Sequence, residues 1–184
     1  KYNIDKNKVG VYGASAGAGN SLWIGFSDDM SDPSGSDLIL RESTRVSCVG
    51  AIATQATYDF FKWPEILNLS EELMLDVNSE KRIAKAFGVK YEEGIDLKSY
   101  DKTIKELDFL DKIDKNDPPM FVFNNQMGGI PKNNNQRNHH PLHAKALKEK
   151  ADKEGLESVV YAPKIGITDS KNIGIVDFFI EKLK

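Results

Sequence analysis

Several features that would assign a function quickly are scarce or missing. Among 184 residues there is one cysteine, Cys48. A single thiol excludes an internal disulfide and a zinc site built from cysteines. No apolar run approaches the ~20 residues that cross a bilayer, so no membrane span is expected. Neither sign of charge dominates, since 25 Lys and Arg stand against 28 Asp and Glu for a formal net charge of −3. Without a basic stripe, nucleic acid is not an expected partner. There is no internal repeat and no low-complexity tract. Histidine is rare, and its three copies, His139, His140 and His143, sit close together. The first residue is Lys1 rather than Met, and Lys1-Tyr2-Asn3-Ile4-Asp5 is polar, without the pattern of a secretory signal. A processed product or a fragment is expected on this ground, and the compartment stays open.

What is present reads as an α/β protein. With 40% hydrophobic and 29% charged residues, the chain suits one globular domain with its own core. Short apolar strands alternate with helical stretches, which argues for a mostly parallel sheet flanked by helices. Strands are expected at Val9–Tyr12, Val46–Thr54, Met120–Asn124 and Val159–Tyr161. The nearly continuous apolar run of the second suits a strand buried on both faces. Helices are expected at Ala16–Phe26, Pro141–Glu154 and Ile173–Leu183, with Gly155 as a stop and Ile175, Phe178, Phe179 and Leu183 sharing one face. Residues 63–115, rich in Leu, Glu and Lys, read as a helical insertion with Ser70 or Ser79 as caps.

Gly13-Ala14-Ser15-Ala16-Gly17 matches G-x-S-x-G between a strand and a helix, the context that motif requires. A nucleophilic serine must project from a sharp turn, and small residues two before and two after let the backbone fold that tightly. The N–H of Ala16, at the helix N-terminus, is placed to hold a developing oxyanion. A second reading is a dinucleotide loop. Gly13, Gly17 and Gly19 also fit the G-x-x-x-G-x-G pattern of short-chain dehydrogenases. Tyr58 and Lys62 form a Y-x-x-x-K pair, and Asn124-Asn125 resembles that family's Asn segment. The order is reversed, however, because the Asn segment follows the Tyr/Lys pair. No acidic residue stands where a ribose contact belongs.

The wider context resembles the α/β-hydrolase superfamily of the esterase/lipase type. Asn3-Ile4-Asp5-Lys6-Asn7-Lys8-Val9-Gly10-Val11-Tyr12-Gly13 is similar to that family's approach to the nucleophile strand. Asp117-Pro118-Pro119 resembles the lead-in to a later strand. The helix from Pro141 and the following Gly155-Leu156-Glu157-Ser158-Val159-Val160-Tyr161 resemble its last helix–strand unit. The resemblance implies a partial α/β-hydrolase fold and a carboxylic ester as small-molecule substrate. It implies Ser15 as nucleophile, Ala16 N–H as oxyanion donor, and no cofactor or metal.

Three departures from the family pattern follow. The strands that precede the nucleophile strand, with their His-Gly-Gly-Gly-type oxyanion loop, are not in this chain. The loop Ala162–Asp169, where the family places its histidine, has none. His139 or His140 is offered instead, with His140 the first choice, while His143 reads as a helix-surface residue. The acid is expected at Asp59, after the second strand, so that Ser15, Asp59 and His140 keep the family's order. Asp59 reads equally as a turn or helix-cap residue. A truncated, non-catalytic module of the same fold is the alternative. The outer edge of the first strand would then be open, and a homo-oligomer through that edge is expected. Asp28, Asp29, Asp32 and Asp37 fail the calcium-loop template and read as a solvated loop. Trp23, Phe60, Phe61 and Trp63 read as core or as the wall of an acyl pocket.

Overall fold

Four short apolar segments pair in chain order into one all-parallel sheet. The computed structural model describes residues 4–70 and 77–184. Asn3 of the approach segment lies outside the described residues, as do 71–76 within the expected insertion and with them the helix start expected after Ser70. The strands are β1 (Gly10–Ala14), β2 (Cys48–Ile52), β3 (Met120–Phe123) and β4 (Ser158–Tyr161). Their register aligns Val11 with Val49, Val49 with Met120, and Phe121 with Val159. The helices are α1 (Ala16–Phe26), α2 (Trp63–Leu67), α3 (Val77–Ala86), α4 (Asp101–Leu107), α5 (Phe109–Lys112), α6 (Asn134–Asn138), α7 (Leu142–Glu154) and α8 (Ile175–Lys182). Ser79 is an interior residue of α3 rather than its cap.

Alternation along the strands builds two apolar layers. On one face Val49, Ala51, Met120, Val122 and Val160 meet Ala18, Leu22 and Phe26 of α1 and Ala144, Leu147 and Ala151 of α7. On the other, Cys48, Phe121 and Val159 pack on Phe178, with Ile175, Phe179 and Leu183 around it. The face expected for α8 is thus the one it buries. Burial of the Cys48 thiol pushes its pKa up to about 11, so it serves as a packing group. β2 is shorter than its apolar run because Ala53, at φ 49°, turns the chain out of the sheet. Residues around α3 form a separate apolar cluster, Ile83, Ala84, Phe87 and Leu97. Parallel pairing brings all four strand C-termini to one edge, so Ser15, Ala53, Asn124 and Ala162 begin the loops there. Sites in open parallel sheets form at that edge.

His143 is a correction to the surface position expected for it. It is fully buried, its ring edge-on to Trp63 at 4.8 Å between centroids. The reason is tertiary: α7 lies between the sheet and α2, so Ala144 and Leu147 face the strands while His143 faces α2. Nε2 lies 3.0 Å from the Arg137 carbonyl oxygen, which makes it the protonated nitrogen, and Nδ1 has no partner among the described residues. Burial, opposed by the Arg137 carbonyl and aided by the nearby His140 and His139, pushes its pKa from 6.5 down to about 3. The folded state therefore keeps this ring neutral where the unfolded chain binds a proton. The stability it carries is complete above pH 6.5 and drains away as pH falls towards about 3. The loss is on the order of a few kcal/mol. Urea midpoints measured from pH 7 to pH 4 are expected to fall more steeply for the native protein than for His143→Leu. Parallel curves would show that this histidine does not set the acid sensitivity.

Candidate functional site

The site starts from a backbone break at the end of β1. The Ser15 N–H donates to the Ile52 carbonyl oxygen at 2.9 Å, the last rung tying this strand to β2. Ser15 itself takes φ 53°, ψ −121°, a region that side-chain-bearing residues rarely occupy and that costs about 1–3 kcal/mol. The chain then enters α1, and the Ser15 carbonyl accepts from Ala18 N (3.0 Å) and Gly19 N (3.1 Å). The turn is so tight that a Cβ on residue 13 would stand 2.4 Å from the backbone of Gly17. From the far side the Tyr58 hydroxyl donates to the Ala16 carbonyl oxygen at 3.1 Å. That contact requires glycine at position 19, where a Cβ would come within 2.0 Å of the hydroxyl. Ala16 is the first residue of α1, so helix geometry leaves its N–H without an intrahelical acceptor.

Opposite this turn stands His139, the residue that closes α6. Its Nε2 lies 2.7 Å from Ser15 Oγ. Its Nδ1 lies 2.8 Å from the Asn135 carbonyl oxygen, one helical turn back. A carbonyl can only accept, so Nδ1 carries the proton and Nε2 is left to accept from the serine hydroxyl. That is the tautomer a general base needs. The partner that fixes it is a neutral main-chain oxygen instead of a carboxylate.

The other expected site residues stand elsewhere. His140, the first choice from the sequence, is buried with Nε2 at 2.8 Å from the Gly129 carbonyl oxygen and Nδ1 accepting from Leu142 N. Its ring supports the loop and does not meet Ser15. Successive residues on a helical turn are rotated by roughly 100°, so only one of two adjacent histidines can face the serine. Asp59 is a cap. Its carboxylate accepts from Phe61 N at 3.0 Å and touches none of the three histidines, whose engaged ring nitrogens all have other partners. Burial, opposed by that N–H and reinforced by the charge of Asp108, raises its pKa.

The aromatic residues are core. Trp63 is buried and donates to the Thr57 carbonyl oxygen, Phe60 packs on it, Phe61 joins the cluster around Ile83, and Trp23, within α1, packs against the main core. The Asp-rich loop is held by its own turns. Asp29 accepts from Ser31 N, Ser43 Oγ and Thr44 N, contacts that hold its carboxyl well below the usual range. The dehydrogenase pattern also dissolves. Tyr58 serves α1, Lys62 is ion-paired with Asp108 and Asp111, and the order of the described strands never reverses as a dinucleotide fold requires.

A parallel sheet with a strained serine turn at its carboxyl edge defines an α/β-hydrolase-like fold. No protein-family model matches the sequence, and no curated protein matches it significantly. Among solved structures, the chain is similar to a truncated form of carbohydrate esterase from gut microbiota, with a TM-score of 0.63 and 16% identity over 99% of this chain and 62% of that one. It is also similar to an acetyl ester-xyloside bifunctional hydrolase from Caldicellulosiruptor lactoaceticus, with a TM-score of 0.52 and 16% identity over 98% of this chain and 56% of that one. The chain thus spans less than two thirds of either neighbour. The likeness establishes the fold.

The turn makes a stability prediction. Glycine adopts positive φ without the clash that Ser15 bears. Ser15→Gly is expected to be more stable than Ser15→Ala by about 1 kcal/mol in urea denaturation. Equal stabilities would mean that residue 15 is unstrained.

Proposed function

We propose that this chain is the nucleophile-bearing part of a serine hydrolase that cleaves carboxylic esters. One observation carries the reading: Ser15 Oγ lies 2.7 Å from a His139 nitrogen whose tautomer is fixed for proton acceptance. Ser15 attacks the ester carbonyl carbon as its proton passes to His139 Nε2. The Ala16 N–H faces the oxyanion of the tetrahedral intermediate. His139 returns the proton to the departing alcohol, leaving an acyl-serine, and the same ring then activates water to release the acid. Asn135 keeps the ring oriented but supplies no negative charge, so the imidazolium gains less than beside a carboxylate. The solved neighbours bear the titles of a carbohydrate esterase and an acetyl ester-xyloside hydrolase, which makes acetylated carbohydrates the first substrates to assay.

The neutral oxygen that meets His139 Nδ1 favours a second reading, a non-catalytic module of the same fold. Turnover of p-nitrophenyl acetate separates the two. Ser15→Ala is expected to abolish it, His139→Gln to lower it by roughly 100- to 10,000-fold, and His140→Gln to retain most of it. No turnover, or turnover indifferent to residue 15, would support the non-catalytic module.

We also propose that two copies associate through the outer edge of β1. Tyr12 on that strand is 66% exposed. With Ile175, Val176, Phe179, Ile180 and Leu183 it lines an open apolar groove of about 500 Å³. Light scattering is expected to return the mass of a dimer, and a stable monomer would contradict this.

A further inference from the structure

The His139 turn is held by two carboxamides from different strand ends. Asn124 directly follows β3 and is fully buried. Its backbone N–H donates to the Tyr161 carbonyl oxygen at 2.8 Å, which pins it between β3 and β4. Its Nδ2 donates to the His139 carbonyl oxygen at 3.1 Å and approaches that of His140 at 3.5 Å. Its Oδ1 accepts from Gln126 N at 2.9 Å. Gln55, in the loop after β2 and 5% exposed, donates from Nε2 to the Asn138 carbonyl oxygen at 2.8 Å. Three consecutive carbonyls, of residues 138, 139 and 140, are therefore met by side-chain amides anchored on the sheet.

We infer that Asn124 and Gln55 are positioning residues: they set the height and rotation of the His139 turn so that its ring meets Ser15. The inference rests on the proposed Ser15–His139 chemistry. Every partner of the two Nδ2 and Nε2 groups is a carbonyl oxygen, so each position demands a donor. An ionised carboxylate there would repel the oxygens it faces and free the turn. The same geometry explains why an acid does not fit at position 124, directly after β3. A displacement of the ring by about 1 Å is enough to cost ~100-fold in rate.

Asn124→Asp tests this because its effect depends on protonation. A protonated carboxyl at position 124 donates to the His139 carbonyl and accepts from Gln126 N, as the amide does. Once ionised it can only accept. The native rate of p-nitrophenyl acetate hydrolysis is expected to rise with pH and level off. The variant's is expected to rise and then fall at least ~10-fold from its peak as the introduced carboxyl ionises, with KM changed far less than kcat. Gln55→Glu is expected to behave likewise, which covers failure of the first variant to fold. Amide protection factors at residues 138–140 give a readout that needs no turnover. They are expected to drop in the variants only above the same pH, with the amides of β2 and β3 unaffected. A native-like pH profile with unchanged protection overturns the inference. If His139→Gln keeps full activity, the catalytic reading fails instead, and the protection factors alone decide whether the carboxamides hold the turn.

Discussion

The contact between the Ser15 hydroxyl and the His139 ring is the interaction around which the rest of the carboxyl edge is organised. Each group reaches it through backbone that would not adopt its shape unaided. Ser15 sits at φ 53° because the rung to Ile52 fixes the chain on one side and the first turn of α1 fixes it on the other. The strain persists because the surroundings over-determine it. Gly13 lets Gly17 approach, and Tyr58 closes the turn over Gly19. On the opposite side, the five-residue helix α6 is too short to be stable by itself. It is held by Asn133 capping Gln136 N, by Arg82 bonded to Asn138 Oδ1, and by the carboxamides of Gln55 and Asn124.

This arrangement differs from an acid–histidine–serine relay in one physical respect. The proton on Nδ1 is directed at a neutral carbonyl, so the ring is oriented without being strongly polarised. Orientation and tautomer are the larger part of what a triad acid supplies, since a substitution that leaves the wrong tautomer costs about 10,000-fold. The electrostatic part is missing at this position. The His139 ring is thereby ordered by a neutral main-chain oxygen. The same economy marks His143, which uses one ring nitrogen to cap Arg137 and has no partner for the other among the described residues.

The fold was largely legible in the sequence. The apolar runs around Val49, Val122 and Val160 suited buried strands, and Pro118-Pro119 marked where β3 begins. Gly13, Ser15 and Gly17 announced the turn as a motif, although only at position 13 does the close Gly17 backbone leave no room for a Cβ. The partner of Ser15 was harder to read. His139 and His140 are adjacent and chemically identical, and only the pitch of α6 and the proline after it decide which one faces the sheet edge. Asp59 looked like an acid because a carboxylate that caps a turn has the same sequence signature as one that orients a base. His143 was placed outside because the residues that bury it, chiefly Trp63, lie far away in the chain. Asn124 stood out only as part of a dehydrogenase-like Asn segment and Gln55 not at all, since buried carboxamides are recognised by what they meet.

The central claim is that Ser15 is an activated nucleophile, and covalent labelling measures this most directly. A fluorophosphonate probe followed by peptide mass mapping is expected to place one adduct on Ser15 in the folded protein and none after unfolding in urea. A folded protein that takes no adduct, or takes it on another residue, would contradict the account.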